Sequence, residues 1–488
     1  MKTKEKLLQE VANLKAEIKK RDFLISSLQE QVKSLEKYRF GSSSEKDPNQ
    51  MPLFNEAEQI IDSKPKLKTK GKKKKAGIRK TLPAELPCVE KVYDLDNEQK
   101  TCPNDGTELK HIGEETSEQL LFVPASVKVI KHKCYKYACP QCKKHIVTAS
   151  KPRDPIPGSI ASPELLSYLS VSKYADGLPL YRLSQMFNRL NIKISRTSMA
   201  DWIIKCGSLV QPLVNLIADE IYNQPCVHVD ETTVQVLNEP GKKAQSKSYM
   251  WVQRAGKNVL FNYSRSRSQA TAEKLLANYN GAIMCDGYQG YDAAGKSRNI
   301  TRLGCWVHAR RYFIKVTEQS EHPTAEQFIN LIGQLYGIEK HIRENKYKPD
   351  KIKAIRQQQS VPIINQIKEL LDQTLHSTAP SGLMGKALGY LQSQWNRLIR
   401  YTEDGNYPID NNLAENAIRP FVIGRKNWLF ANSVSGAKAS ANLYSLIETI
   451  KAHGLNLEEY FTHIYRQMPN AKTIEDIEQL APWNYKPE

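Results

Sequence analysis

Apolar residues near the start of the chain recur at alternating intervals of four and three: Leu7, Val11, Leu14, Ile18, Arg21, Ile25, Leu28, Val32 and Leu35. This is a heptad seam with Arg21 as its one polar break. With Val11, Ile18, Ile25 and Val32 at a positions and Leu7, Leu14, Leu28 and Leu35 at d, it predicts a parallel two-stranded coiled coil over 1–40, hence a homodimer. The polar stretch Gly41-Ser-Ser-Ser-Glu-Lys-Asp-Pro ends the pattern and opens a linker over 41–85. Helical spacing returns over 160–215. There, Tyr181-Arg-Leu-Ser-Gln-Met-Phe-Asn-Arg-Leu and Ser195-Arg-Thr-Ser-Met-Ala-Asp-Trp-Ile read as two helices joined by a short turn, with Ser195 capping the second. This is helix-turn-helix spacing, in which Arg196, Thr197 and Ser198 open the second helix and face base edges. A plain helical hairpin would show the same pattern.

From Pro225 the period changes to that of strands. Cys226 to Leu237, Tyr249 to Gln253 and Val259 to Ser264 read as three consecutive strands, followed by a helix over Gln269 to Tyr279 and a strand ending at Asp286. A meander, a crossover helix and a parallel strand make the topology of an RNase H-like core, placed over 220–320 and 402–465. Between these parts, 321–401 is rich in Gln, Ile, Leu and Lys at helical spacing and reads as an all-helical insertion. Residues 466–488 are left as a C-terminal tail.

Composition narrows the partner. The 488 residues include 40% hydrophobic ones, enough for several cores, and carry a formal net charge of +19. The pI of about 9.3 favours a polyanion, bound in a salt-dependent way. Part of that charge lies in the run from Lys64 to Lys80, which reads as a disordered tether gripping phosphates non-specifically. No apolar stretch approaches the roughly 20 residues of a membrane span, and the charged N-terminus lacks a signal-peptide core, so the protein is expected in the cytoplasm. In that compartment the nine cysteines point to metal binding and burial rather than disulfides.

Cys102-Pro-Asn-Asp-Gly and Cys139-Pro-Gln-Cys142 resemble the two knuckles of a zinc ribbon, which places a Zn²⁺ domain over 86–150. Asp105 stands where a second cysteine would complete the first knuckle, so the fourth ligand is left open among Asp105, His132, Cys134, His145 and water. Three acids form a separate set: Asp230 in Val227-His-Val-Asp-Glu-Thr, Asp286 in Ile283-Met-Cys-Asp-Gly-Tyr, and Glu415 in Asp410-Asn-Asn-Leu-Ala-Glu-Asn. The first two end β-branched apolar runs, and the third sits in the first turns of a helix that Asp410 would cap. Any one of them alone reads as a cap or a solvated loop residue. Together, two strand-borne Asp and a helix-borne Glu suit a pair of Mg²⁺ (or Mn²⁺) ions, because hard cations take oxygen ligands and two ions clamp both oxygens of an in-line phosphoryl displacement. His308, Arg310 and Arg311 in Cys305-Trp-Val-His-Ala-Arg-Arg, and Arg419, Arg425 and Lys426 on or after the Glu415 helix, are candidate contacts to DNA phosphate. Trp428 reads as core, with stacking on a base as the alternative.

These residues resemble the transposases of the insertion-sequence-66 group of bacterial mobile elements. The similarity covers nearly the whole chain, including the zipper, the cysteine segment and Val171-Ser-Lys-Tyr-Ala-Asp-Gly-Leu-Pro-Leu-Tyr. It is strongest over Asp410-Asn-Asn-Leu-Ala-Glu-Asn-Ala-Ile-Arg-Pro and Gly424-Arg-Lys-Asn-Trp-Leu-Phe. The resemblance implies a DDE-type transposase with Asp230, Asp286 and Glu415 as its triad. Its partners would be the element's terminal inverted repeats, target DNA and accessory proteins from the same element. The fold expected is multidomain α+β: coiled coil, zinc ribbon, helix-turn-helix and an RNase H-like α/β catalytic core with an all-helical insertion. A nuclease or resolvase of the same chemistry, or a non-catalytic DNA-binding regulator, are the alternatives.

Overall fold

The computed structural model describes residues 127–138, 146–292 and 300–486, with scattered positions of an N-terminal helix between 10 and 32. Those N-terminal positions include Val11, Leu14, Ile18, Ile25 and Val32, all helical and exposed, and Arg21 pairs with Glu17 one turn earlier at 2.9 Å. The chain divides into two units, Pro65–Lys151 and Met1–Lys64 with Pro152–Glu488. In the former, strands β1 (Lys136–Ala138) and β2 (Ile146–Thr148) pair antiparallel. The predicted ligands Cys102, Cys139 and Cys142 lie outside the described residues, as does the basic linker. Cys134 is free and exposed.

In the larger unit, helices α1 (Pro163–Tyr174), α2 (Leu180–Arg189), α3 (Arg196–Leu209) and α4 (Gln211–Tyr222) lead into a mixed sheet. Its strands are β3 (Cys226–Asn238), β4 (Lys247–Ala255), β5 (Asn258–Ser264), β6 (Ala282–Cys285) and β7 (Thr301–Gly304), with helix α5 (Gln269–Leu275) between β5 and β6. The order is β5-β4-β3-β6-β7, antiparallel through the meander and parallel from β3 to β6 to β7. The meander, crossover helix and parallel strand expected from the sequence are all present. The crossover helix ends four residues early because Leu276 closes it and Tyr279 turns back to cap the sheet, its hydroxyl donating to the carbonyls of Gln224 and Ala282.

Beyond β7 come α6 (Trp306–Thr317), α7 (Pro323–Glu344), α8 (Pro349–Ile355), α9 (Val361–Leu375) and α10 (Leu383–Leu398), so 321–401 is helical as its spacing predicts. The chain then returns through α11 (Asn412–Trp428) and β8 (Ala431–Ser433), which pairs with the far end of β3, into α12 (Val434–His453) and α13 (Leu457–Gln467). The expected tail is folded: α14 (Ile474–Gln479) starts with a capping box between Thr473 and Asp476, and the Tyr460 hydroxyl donates to the Leu480 carbonyl at 2.6 Å.

Strand alternation divides the interior in two. On β6, Ile283 and Cys285 join one core with Val227 and Val229, while Ala282 and Met284 join a second with Cys226 and Leu303. The first core also takes Leu166, Met199, Ile203 and Ile221 from α1, α3 and α4, and the inner faces of α12 and α13. Residues 160–215 are therefore no separate module, since their apolar face is buried with the sheet. The second core collects α6, α7, α9 and α10 around Trp306 and Phe313.

Helices α3 and α12 cross closely at Gly207. A Cβ there would lie 2.6 Å from the Ala439 backbone, and Asn442 Nδ2 donates to the Gly207 carbonyl at 2.8 Å. Gly207→Ala is expected to force the helices apart and lower the stability of the unit by about 1–3 kcal/mol, the usual cost of overpacking. Denaturant unfolding of the purified variant checks this, and an unchanged midpoint would show that the crossing gives way freely.

Candidate active site

The register of the sheet brings the first two acids together. Cys226 pairs with Ala282 and His228 with Met284, an offset of 56 residues that is also the separation of Asp230 from Asp286. Parallel neighbours lie about 4.8 Å apart, and residues of equal parity share a face. Asp230 and Asp286 therefore stand side by side on the second core's face. Glu231, of opposite parity, points away into an ion pair with Arg267 at 2.5 Å and accepts from the Tyr291 hydroxyl. Glu231 is thus held by side-chain partners, whereas Asp230 accepts from the Glu231 N–H at 2.8 Å through Oδ1.

Asn411 brings Glu415 to the pair. Its amide donates to the Val229 carbonyl at 2.9 Å, and its Oδ1 lies 3.2 Å from His228 Nδ1. Its backbone N–H donates to Cys305 Sγ at 3.2 Å. Burial pushes the His228 ring down to about 4, so it is neutral and donates from Nδ1 to the Asn411 oxygen. Asp410 does not cap the helix as the sequence suggested. Asn411 occupies the cap position without a side-chain cap bond, and Asp410 accepts from the backbone and side-chain amides of Asn412. Ala414, Ala417, Ile418 and Phe421 form the buried stripe of α11, leaving Glu415 on its other side. Arg425, ten residues on, donates to the hydroxyls of Thr232 and Thr233 at 3.0 and 3.1 Å, tying the far part of α11 to β3 beyond Asp230.

The loop after Asp286 is held as firmly. Asp286 Oδ1 accepts from the Tyr288 N–H at 2.9 Å, and the buried Arg302 donates to the carbonyls of Asp286 and Tyr288, each at 2.8 Å. Arg302 and Arg397, from β7 and α10, share the carboxylate of Asp292. None of these anchors was foreseen from the sequence. Arginines on either side of an acidic loop are a weak signal until the register is known.

The three acids repel one another in a largely buried setting. Burial first, then Glu231, Glu415 and Asp286, push the Asp230 carboxyl well above its ordinary range. Glu415 Oε1 is buried without a hydrogen bond, while Oε2 accepts from Arg311 at 3.0 Å. Converging, under-neutralised carboxylates fit a hard divalent ion such as Mg²⁺ or Mn²⁺. His308 lies 3.5 Å from Glu415 Oε1 without bonding to it, and burial lowers its pKa. Donor atoms of Cys305, His308 and Glu415 lie within 4.8 Å of one another.

Among the proposed phosphate contacts, Arg196 and Thr197 are exposed at the start of α3, capped by Ser195 as expected, and Ser198 is half-buried. Arg419 is half-buried and Lys426 exposed. Four positions differ from expectation. Arg310 is only 3% exposed, because it shares the core face of α6 with Trp306 and Phe313, which removes it from the phosphate set. His308 and Arg311 face Glu415 rather than open solvent, and Arg425 is engaged by β3. Trp428 packs edge-on to Phe421, 5.5 Å between ring centres, in line with its reading as core.

Sequence comparison gives the family. Residues 158–439 match the model of the transposase IS66 family, 99–143 that of the zinc-finger binding domain of transposase IS66, and 445–483 that of the IS66 C-terminal element. Residues 27–90 match a model described as transposase C of IS166 homeodomain. The chain belongs to the IS66 transposase family. Its relatives include two uncharacterized proteins of Sinorhizobium fredii (strain NBRC 101917 / NGR234). Protein y4qI is 30% identical over 98% of this chain and 92% of its own length, and y4jD is 31% identical over 83% and 81%. The protein is thus a transposase, an enzyme whose partner is DNA. No helix among the described residues is long and apolar enough to cross a membrane.

Asn411→Ala removes a buried amide and leaves the Val229 carbonyl and the His228 ring without their partner. The expected loss is about 2–6 kcal/mol, from two buried groups at roughly 1–3 kcal/mol each. Equilibrium unfolding measures it, and a loss below about 0.5 kcal/mol would mean the helix start is held by other contacts.

Proposed function

We propose that this transposase is a DDE enzyme built on an RNase H-like core, with 321–401 as a helical insertion and Asp230, Asp286 and Glu415 as its catalytic triad. The observation that carries this is the shared 56-residue offset: extended past the paired residues, it sets Asp230 on β3 beside Asp286, the residue that follows β6, next to the helix bearing Glu415. Mg²⁺ held by the three carboxylates would supply Lewis-acid activation of the attacking oxygen and stabilisation of the leaving one. Asp230, flanked by both other acids, bridges the site. Asp286 is fixed by the Arg302-bound loop, and Arg311 orients Glu415 through one oxygen while leaving the other available. In the first step water attacks a phosphodiester at the element's end, the P–O3′ bond breaks and a 3′-OH is released. In the second, that 3′-OH attacks a target phosphodiester and displaces the target's own 3′-OH, so one bond forms for each broken and no nucleotide cofactor is consumed.

The remaining parts serve capture and assembly. The exposed seam of Val11, Leu14, Ile18, Ile25 and Val32 supports a homodimer through the N-terminal helix. Arg196 and Thr197 at the start of α3 support contact with the terminal repeats. The family zinc-finger match spans Cys102, Cys139 and Cys142, which supports a Zn²⁺ held by these three thiolates.

Asp230→Asn, Asp286→Asn and Glu415→Gln should each abolish Mg²⁺-dependent cleavage of end-bearing DNA while leaving DNA affinity within a few-fold of wild type. Gel assays of cutting and binding on the same preparations test this. Cleavage retained by any one variant removes that residue from the triad.

Protein purified without chelators should carry about one zinc per chain, and Cys139→Ser should lose it. Elemental analysis decides the point, and a stoichiometry near zero in the wild type would show that the thiols hold no ion.

A further inference from the structure

The helix that carries Glu415 ends against a lysine that the catalytic reading leaves unused. Lys173, in the last turn of α1, has its ammonium 5.2 Å from the Tyr174 ring centre and 5.5 Å from that of Trp428, the final residue of α11. The two segments touch: a Cβ on Gly177 would come within 3.0 Å of Asn427. Lys173 is half-buried, and among the described residues it makes neither a hydrogen bond nor an ion pair. Burial alone lowers its pKa, to about 8, with no carboxylate close enough to oppose the shift. Two aromatic faces flank the half-buried ammonium, but neither is a hydrogen-bond acceptor of the strength of a charged oxygen. A phosphate oxygen would be such an acceptor and would also supply the missing negative charge. The exposed side chains next to Trp428 on the helix, Lys426 and Asn427, add no negative charge that would repel it.

We propose that Lys173 is a binding point for one backbone phosphodiester of the DNA on which the Asp230–Asp286–Glu415 site acts. The proposal rests on the transposase reading above and adds a contact remote from the chemistry. Glu415 and Trp428 are thirteen residues apart on one helix, so at about 1.5 Å per residue the two points lie roughly 20 Å apart. At about 3.4 Å per nucleotide, that is roughly six nucleotides along a strand. A contact at that spacing fixes the direction in which the bound end leaves the metal site and carries no base information.

The test uses the full-length chain and the variants Lys173→Met and Lys173→Arg. Each is titrated with a fluorescein-labelled duplex of random sequence over a series of salt concentrations, in EDTA so that nothing is cut. The slope of log affinity against log salt should fall by about 0.9 in Lys173→Met and be retained in Lys173→Arg. Lys173→Met should melt close to wild type, because the half-buried ammonium makes no hydrogen bond or ion pair among the described residues that the change would break. An unchanged slope in a folded Lys173→Met overturns this proposal and leaves the transposase reading standing. A wild-type protein with no salt-dependent DNA binding overturns both. Should Lys173→Met fail to fold, reductive methylation of the wild type, read by mass spectrometry, takes its place. Duplex DNA should slow modification of Lys173, and an equal rate with and without DNA overturns the proposal.

Discussion

The site depends on one buried side chain, Asn411. A helix start leaves unpaired backbone N–H groups and has no intrinsic reason to lie against a particular strand. Asn411 removes that freedom with three bonds to two elements: its amide to the β3 backbone, its oxygen to His228 on the same strand, and its own N–H to Cys305 at the head of α6. A backbone bond from Trp306 to the Ile409 carbonyl reinforces the junction. Because Asn411 is 1% exposed, water cannot substitute for any of these partners. The position of Glu415 relative to Asp230 is therefore set by hydrogen bonds of fixed direction in addition to the apolar stripe of α11, which alone would tolerate sliding.

The segment leading into that junction is held by a second buried polar group. Arg356 forms two hydrogen bonds to Glu339 and donates to the carbonyls of Tyr401, Asp404 and Tyr407. It does so from a single wide turn, Arg356–Ser360, inserted between α8 and α9. The helical region between the second and third acids is thus no passive spacer. One of its arginines fixes the chain that delivers Asn411, and another, Arg397, grips Asp292 on the loop that carries Asp286. Both acids distant from β3 in sequence are positioned partly from these helices.

Period and parity made much of this legible in advance. The 3.6 and 2.0 rhythms located most helices and the core strands, and the three acids could be singled out by their settings, although Asp230 lies inside β3 rather than at its end. What escaped was the identity of polar partners. Asp410 and Asn411 are equally good caps by residue type. Only the approach of β3 decides that the asparagine, with both a donor and an acceptor, is the one buried. Likewise Arg310 and Arg311 are indistinguishable as neighbours in a basic motif. The helical phase set by Trp306 and Phe313 turns the first inward and the second toward Glu415. The tail was assigned no element because its few apolar residues are spread thinly. It folds through a capping box and by docking on Tyr460, which no local period announces.

The same distinction bears on how the chain's basic character should be interpreted. A net charge of +19 suggests broad affinity for polyanions, but several cations in the folded unit are committed inward. Arg302, Arg310 and Arg356 are each 5% exposed or less, Arg425 is tied to β3, and Arg311 faces Glu415. Counterion release upon DNA binding scales with the phosphates actually contacted, not with formal charge. The electrostatic contribution of the catalytic unit therefore comes from the smaller set of cations that remain accessible, such as Arg196 and Lys426. The committed arginines instead fix the frame in which three carboxylates can be held together despite their mutual repulsion.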